Sequence, residues 1–231
     1  MAFSYWESNA WLEEVDLLVV GAGIVGLSAA LNARSLHPDW RIVVVDADPL
    51  GGGGSSRNAG FSCFGSATEL RSDRQTLGDE AALELVRKRW QGLQRLRSTF
   101  GDNALGHRVC GSVELFPGEG IEAPPSASEL EDLNRWIQPV TGVADTFIPL
   151  PSNSLPHLLG DARGPAILSR LEGLLDTGKM NRAFRSKAHA SGIDVLTGIR
   201  VESIDTAEGN CQLKISTFSR EEALIRPARL V

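Results

Sequence analysis

Hydrophobic and polar positions divide the first fifty residues into a strand, a helix and a second strand. Residues 15–20 are apolar and β-branched and stop at a glycine, which is typical of a buried strand. Residues 24–36 are rich in alanine and larger apolar side chains, and this helix ends at His37 because the following proline disfavours helical backbone there. Residues 41–46 are a second apolar, β-branched run. The pattern predicts a β-α-β unit with parallel strands.

The remaining chain mixes helical and strand patterns. Residues 78–99 place apolar side chains at three- and four-residue spacing, which predicts a long amphipathic helix. Residues 117–165 are rich in proline, serine and glycine, with one short helix near 127–137, and we interpret residues 70–165 as an inserted or second lobe. A further helix is predicted from Asp176 to Ala190. The other predicted strands are 111–116, 193–196, 201–204, 211–217 and 223–231.

Composition and charge narrow the class of protein. The 231 residues are 42% hydrophobic and 23% charged, with a net charge of −6, which is ordinary for a globular protein and disfavours binding to nucleic acid or anionic lipid. No apolar run is long enough to span a bilayer, and the N-terminus lacks a secretory signal. The three cysteines and four histidines have no metal-ligand or disulfide pattern. We therefore expect a cytoplasmic protein with no metal site and no nucleic-acid or membrane partner.

The turn after the first strand carries the motif G-x-G-x-x-G. Gly21 permits a tight turn, Gly23 lets the backbone approach a pyrophosphate, and Gly26 lets the helix pack closely on the sheet. Ile24 and Val25 begin the helix, whose free N–H groups and positive dipole end favour phosphate binding. An ordinary glycine turn is the alternative for the isolated motif. The strand before it and the helix after it favour a dinucleotide site.

An acidic residue stands at the distance that a dinucleotide site requires. Asp46 closes the second strand, 20 residues after Gly26, where a carboxylate accepts hydrogen bonds from a ribose. A carboxylate at this position disfavours the 2′-phosphate of NADP. The glycine motif and Asp46 together do not decide between FAD and NAD.

A glycine run and a polar loop follow Asp46. Gly51–Gly54 is either a linker or, because it follows the carboxyl end of a buried strand, part of a binding loop. The small and hydroxyl side chains after it can approach a pyrophosphate and a ribityl chain, and Arg57 can offset phosphate charge. A solvated polar loop is the alternative. The loop residues are Ser55, Ser56, Arg57, Asn58, Ala59 and Gly60.

Two segments resemble a known family. Residues 19–30 and residues 55–61, which end at Phe61, are similar to the D-amino-acid oxidase and glycine oxidase superfamily of FAD-dependent amine oxidoreductases. Residues 4–7, 176–180 and 192–195 also resemble segments of that family. The resemblance implies that Val201 is a strand residue whose backbone meets the adenine. Asp46 departs from the family, which usually has glutamate there.

The resemblance implies an α/β fold: a Rossmann-like FAD/NAD(P)-binding domain with a partial α+β substrate lobe. We expect residues 1–70 and 166–231 to form the FAD-binding domain and residues 71–165 to form the partial lobe. FAD is the implied cofactor. The expected cofactor-binding residues are Gly21, Gly23, Ile24, Val25, Gly26, Asp46, Ser55, Ser56, Arg57, Asn58, Ala59, Gly60, Phe61 and Val201.

The resemblance also implies the reaction. An amino acid or secondary amine would lose hydride from its α-carbon to flavin, and the resulting imine would hydrolyse. Oxidation of a 2-hydroxy acid on the same scaffold is an alternative. Because family members continue beyond the position of Val231, a truncated flavin-binding module without turnover is another. No base or nucleophile motif identifies a catalytic residue.

Overall fold

The structure is a computed structural model that describes residues 3–50, 53–117, 123–151, 164–206, 211–217 and 222–231. In chain order its helices are α1 (Tyr5–Trp11), α2 (Ile24–Leu36), α3 (Ala67–Leu77), α4 (Asp79–Phe100), α5 (Asp102–Leu105), α6 (Ala127–Thr141) and α7 (Thr177–Ala190). Its strands are β1 (Leu17–Val20), β2 (Ile42–Asp46), β3 (Phe61–Ser62), β4 (Arg108–Val109), β5 (Ser112–Leu115), β6 (Phe147–Leu150), β7 (Ala166–Ser169), β8 (Gly173–Leu174), β9 (Asp194–Thr197), β10 (Ile199–Asp205), β11 (Gln212–Thr217) and β12 (Glu222–Ile225).

The chain forms two compact units. Unit 1 comprises Met1–Ala59 and Thr177–Val231, and unit 2 comprises Gly60–Asp176. The sequence predicts that the inserted segment runs from residue 71 to residue 165, so each predicted boundary lies about ten residues inside the observed unit 2. The observed boundaries lie elsewhere because β3 pairs with β8, and β8 pairs with β4, so the strands at both ends of the insertion belong to the sheet of unit 2.

A parallel sheet in the order β1-β2-β9 organises unit 1. Its strands are almost wholly buried, as their uninterrupted β-branched runs predict. Leu17 pairs with Ile42 in the first ladder, and Val43 pairs with Asp194 in the second. The helix α2 connects β1 to β2, so the predicted β-α-β unit is present with its parallel strands.

The last four residues lie beside the other edge of β1. Leu18 donates its N–H to Arg229 O at 3.0 Å and accepts the N–H of Val231 at 3.0 Å, in a parallel bridge with Leu230. The prediction of one strand over residues 223–231 is therefore wrong. The strand β12 ends at Ile225, and Pro227 separates it from this second run, because proline has no N–H to donate to a ladder.

An antiparallel meander in the order β10-β11-β12 completes the strands of unit 1. The register of β10 against β11 shifts between Val201 and Ser203. The apolar face of the meander contributes Leu213, Ile215 and Ile225 to the same buried cluster that contains Leu18, Val43 and Val45 of the parallel sheet.

Unit 2 contains two antiparallel sheets, in the orders β3-β8-β4 and β5-β7-β6, together with the helices α3 to α6. Its core draws on both helices and strands; the fully buried members include Phe64, Leu70, Val86 and Ile137. The helix α3 was not predicted from the sequence, because only Ala67 and Leu70 of its eleven residues are buried and its apolar periodicity is weak. Part of the proline-rich segment, residues 118–122 and 152–163, lies outside the described residues.

Unit 2 also encloses a buried carboxylate. Glu172 is 3% exposed and accepts hydrogen bonds from the backbone amides of Phe64 and Gly65, both at 3.3 Å, and from the Ser112 hydroxyl. Burial raises the pKa of Glu172, and these three donors oppose that rise. The carboxylate thereby joins residues next to β3, β5 and β8.

A second buried polar group in unit 2 is the imidazole of His107, which lies between Ser62 and Asp102. His107 Nε2 lies 3.1 Å from the Ser62 hydroxyl, and its Nδ1 lies 3.3 Å from a carboxylate oxygen of Asp102. Burial, and next the charge of Arg97, lower the pKa of His107, while Asp102 opposes this. His107 is therefore held mainly as the neutral imidazole, with a structural role.

We predict that the contribution of His107 to the stability of unit 2 decreases as the pH falls below 6.5. The folded pKa of His107 lies below its ordinary value of 6.5, so the unfolded chain takes up the proton first. This contribution is complete above 6.5 and is lost as the pH falls through the folded pKa of His107, by at most about 1.4 kcal/mol per pH unit for one proton. Urea unfolding across this range measures the effect. His107→Asn should reduce the dependence of the unfolding free energy on pH, whereas His189→Asn, a control at an exposed site, should retain it. An equal slope of unfolding free energy against pH in both variants would contradict the assignment to His107.

Candidate functional site

A tight turn joins β1 to α2 at the carboxyl end of the parallel sheet. Gly21 has a φ of 106°, in the region that side-chain-bearing residues rarely adopt, and donates its N–H to Val45 O at 2.7 Å. Gly23 is the N-cap of α2, so the helical amides that have no acceptor within the helix follow immediately. The turn thus presents backbone N–H groups at the edge where open α/β sheets bind ligands.

Gly26 sets the distance between the helix and the turn. A Cβ atom at this position would lie 1.9 Å from Gly21 O and 3.2 Å from Cγ1 of Val19. Both neighbours belong to the strand and turn beneath α2, so only glycine fits without moving the backbone. The assignment of Gly26 to close helix–sheet packing agrees with this geometry.

Asp46 ends β2 and holds the turn in place. Its Oδ2 accepts the N–H of Ala22 at 2.7 Å, and its Oδ1 accepts the N–H of Asp48 at 2.8 Å. Each carboxylate oxygen retains a further lone pair, so both can still accept from a ligand hydroxyl. Sequence reasoning assigned Asp46 to a ribose and missed its bond to Ala22, because no local pattern indicates a contact across 24 residues.

Ser55 reaches the beginning of α2 from the loop after β2. Its Oγ accepts the N–H of Ile24 at 3.0 Å. The loop is a compact turn in which the N–H groups of Ser56 and Arg57 donate to Gly53 O, at 3.1 and 3.2 Å. Thr177, at the start of α7, donates its hydroxyl to Ser56 O at 3.3 Å and anchors the loop from the other side.

A cavity of about 380 Å³ opens among these elements. Its volume suits a nucleoside-sized group, and its polar contacts come from carboxylates, small side chains and backbone. Asp46 and Asp48 favour a ligand that donates hydrogen bonds there, such as a ribose, whereas the end of α2 favours an anion. The lining residues are Gly23, Asp46, Ala47, Asp48, Gly53, Gly54 and Ser55.

The other residues expected at the site are placed as follows. Val25 is 83% exposed in the first turn of α2, and Arg57 and Ala59 are exposed in or after the loop. Asn58 donates its side-chain amide to the carbonyls of Gly54 and Ser55. Gly51 and Gly52 lie outside the described residues.

Three of the expected residues make their described contacts with other elements than the glycine turn. Gly60 and Phe61 belong to unit 2, where Gly60 O accepts the N–H of Leu175 and Phe61 pairs with Leu174 in the short β3–β8 ladder. Val201 lies at the register shift of β10, and its half-buried side chain packs against the core of unit 1. The structure therefore brings together Gly21, Gly23, Ile24, Gly26, Asp46 and Ser55.

The described part of the chain contains no helix long and apolar enough to cross a membrane. Among the same residues, no three His, Cys, Asp or Glu side chains are grouped as they are in a metal site.

Comparisons with known proteins bear on the family and the fold of the chain. Residues 16–225 match the model of the DAO family, described as FAD dependent oxidoreductase. Three similar solved structures are glycine oxidase from Geobacillus kaustophilus, L-amino acid deaminase from Proteus myxofaciens and L-proline dehydrogenase from P. horikoshii. Each is 17% identical, with TM-scores of 0.61, 0.60 and 0.62.

The matches cover most of this chain but only part of the solved proteins. In the same order, the matches cover 93%, 94% and 95% of this chain, and 54%, 44% and 52% of the respective solved chain. The chain thus spans about half the length of the solved structures that it matches, and at this identity the likeness shows the fold.

We predict opposite effects of alanine at two helical glycines. Gly26→Ala forces the new Cβ against Gly21 O and should destabilise the chain by about 1–3 kcal/mol, as overpacking does. Gly92 lies in the exposed interior of α4 with nothing within 4 Å of a Cβ, so Gly92→Ala should stabilise by roughly 0.5–1 kcal/mol. Thermal unfolding followed by circular dichroism compares them. A Gly26→Ala protein as stable as the Gly92→Ala protein would refute the close-packing role.

Proposed function

The chain belongs to the DAO family of FAD-dependent oxidoreductases, and on that premise we propose that unit 1 binds the ADP half of FAD. We propose further that the protein oxidises the C–N bond of an amino acid or secondary amine. The observation that carries the proposal is the hydrogen-bonded assembly of the glycine turn, Asp46 and Ser55 at the carboxyl edge of a parallel sheet.

The residues present fit a pyrophosphate and an adenosine. Gly23 lacks a Cβ at the point where the backbone would come closest to the pyrophosphate, and the first amides of α2 follow it. Asp46 would accept hydrogen bonds from the ribose through its remaining lone pairs. Val201 would contribute backbone contact to the adenine, as the family resemblance implies.

The loop after β2 would contact the pyrophosphate and the ribityl chain of the cofactor. The residues proposed for this role are Ser55, Ser56, Arg57, Asn58, Ala59, Gly60 and Phe61. Arg57 is exposed and would offset phosphate charge, while the small residues beside it allow close approach of the backbone. FAD is preferred to NAD because this loop extends the site beyond the glycine turn.

The proposed reaction follows from the cofactor and the substrate class. Bound FAD would supply the acceptor for a hydride from the α-carbon of the substrate. The solved structures that share the fold are named as a glycine oxidase, an L-amino acid deaminase and an L-proline dehydrogenase, which supports an amino acid or secondary amine as the substrate class. The chain's own part is to bind and orient the nucleotide.

A flavin test addresses the cofactor. We expect the purified protein to bind FAD with the visible absorbance of a bound flavin, and Gly23→Val to lose it, because the added side chain would meet Ser55 Oγ and enter the space proposed for the pyrophosphate. Gly92→Ala is the control, since it alters a glycine in unit 2 at which an added Cβ would meet no atom within 4 Å beyond its chain neighbours and its own helix backbone. Stoichiometric flavin in the Gly23→Val protein, or tight NADH binding without flavin, would count against the proposal.

A double comparison tests the ribose assignment. Asp46→Ala should weaken ADP binding by about 1.5–3 kcal/mol through loss of charge-assisted hydrogen bonds. The wild-type protein should also bind 2′-deoxy-ADP more weakly than ADP, whereas the Asp46→Ala protein should bind both alike, because the shared hydrogen bond is already absent. Titration calorimetry measures all four affinities. If the losses of binding free energy from Asp46→Ala and from removal of the 2′-hydroxyl were additive, Asp46 would act only by holding the Ala22 amide.

A further inference from the structure

A second cavity, of about 360 Å³, opens in unit 2 between the helices α3 and α6. Two of its lining side chains, Pro125 and Leu133, are buried and apolar, so part of its surface is hydrophobic. Its volume suits a small organic molecule. The residues that line it all differ from those of the proposed nucleotide site, and the proposed function leaves this cavity without a role.

Charges of both signs line the cavity. The guanidinium groups of Arg71 and Arg74 lie three residues apart on α3 and are only about one-fifth exposed, at 20% and 21%. The carboxylates are more than half exposed; they belong to Asp79, Glu129 and Asp132. A hydrogen bond from Arg74 lowers the pKa of Asp79, and hydrogen bonds from the N-cap residue of α6 lower the pKa of Glu129. Both carboxylates are therefore ionised at neutral pH.

Arg74 holds the walls of the cavity together. Its Nε and Nη2 donate to the two carboxylate oxygens of Asp79, each at 2.9 Å, and its Nη1 donates to Asp132 Oδ2 at 2.8 Å. Its guanidinium carbon also lies 4.9 Å from the ring centroid of Trp136. These contacts join α3 to the start of α4 and to α6, so the cavity has a defined shape before any ligand binds.

The other pair of opposite charges is more open. Arg71 Nη1 lies 3.8 Å from Glu129 Oε1, which is too long for a hydrogen bond. Glu129 Oε2 caps α6 by accepting the N–H and the hydroxyl of Ser126, each at 2.7 Å. Arg71 Nη2 donates to Ala123 O at 3.0 Å. Each of these two charges is thus anchored by another contact, and they lie side by side without a direct hydrogen bond.

We propose that this cavity binds a small zwitterion, such as a free α-amino acid, between Arg71 and Glu129. The carboxylate of the ligand would accept from Arg71, and its ammonium group would donate to Glu129 Oε1. Every charge in this arrangement would have a neighbour of opposite sign on two sides. An apolar side chain on the ligand would lie against Pro125 and Leu133. The inference does not rest on the nucleotide site proposed for unit 1.

The charges of the cavity disfavour ligands of a single sign. An anion would meet three ionisable carboxylates, and a cation would meet two guanidinium groups that stay protonated. A zwitterion gives each of the open charges a partner and adds no net charge. The cavity should therefore prefer an amino acid to the amine or the carboxylic acid of the same shape.

The test compares three probes with the same apolar group. L-Leucine has both charges, isopentylamine lacks the carboxylate, and isocaproate lacks the ammonium group. Titration of the isotope-labelled 231-residue chain, followed by NMR, should show that L-leucine binds about tenfold or more tightly than either analogue. The amides of Gln75 and Ser128, which line the cavity on α3 and α6, should shift with L-leucine.

Variants assign each charge to its partner. Arg71→Gln should bind L-leucine no more tightly than isopentylamine, because the partner of the carboxylate is gone. Glu129→Gln should bind L-leucine no more tightly than isocaproate, and glutamine can still cap α6 at this position. The matched control is Glu131→Gln, which makes the same change at an exposed position of α6 outside the cavity and should retain wild-type binding.

The wild-type chain decides the proposal even if a variant fails to fold. Equal affinity for L-leucine and either analogue would overturn it, and so would binding that leaves the Gln75 and Ser128 amides unshifted. Equal loss of L-leucine binding in the Glu129→Gln and Glu131→Gln proteins would also overturn it. Flavin retention is measured separately, so its failure would overturn the nucleotide site of unit 1 and leave this inference standing.

Discussion

The site depends on the close approach of α2 to the turn that follows β1. A Cβ on Gly26 would stand 1.9 Å from Gly21 O, so the helix reaches this position only with glycine there. The approach directs the first helical amide to the same sheet edge at which β2 ends. Asp46 and Ser55 can reach the turn only because the helix begins at this point.

Two kinds of acceptor stabilise that edge, and they differ in charge. Asp46 binds the Ala22 amide with a carboxylate, whereas Ser55 binds the Ile24 amide with a neutral hydroxyl. A charged acceptor forms the stronger bond, so the Asp46 contact fixes the turn more firmly. The neutral contact lies next to Gly23, at the place where an anion would bind. The edge thus combines one charged and one neutral side-chain acceptor.

The free edge of β1 is covered by residues distant in sequence. The amides of Leu18 and Val20 donate to carbonyls of Arg229 and Val231, while the alternate amides face β2. Unit 2 relies instead on buried polar groups around its two-residue strands. Glu172 and His107 link the ends of β3, β4 and β8, which are too short to be stabilised by their ladders alone, and Glu172 also binds Ser112 at the start of the four-residue strand β5.

Local sequence determined the elements whose periodicity is strong. The β-α-β unit follows from two β-branched runs and one alanine-rich helix, and the predicted bounds of α2 are those observed. The glycine motif and Asp46 were identified in the same way, because fixed spacing along a strand, turn and helix sets their positions. The family match over residues 16–225 confirms the resemblance that these motifs carry.

Tertiary structure decided the rest, because the deciding contacts join residues far apart in sequence. The helix α3 buries only two side chains, so its apolar periodicity does not predict it, and the two-residue strands β3, β4 and β8 exist only through one another. Pro227 by itself indicates a poor strand position, but only the fold shows that the residues after it lie on the free edge of β1. Likewise the sequence placed Ser55 in a polar loop, but only the fold set its hydroxyl on the Ile24 amide, because that contact requires both elements to meet at one sheet edge.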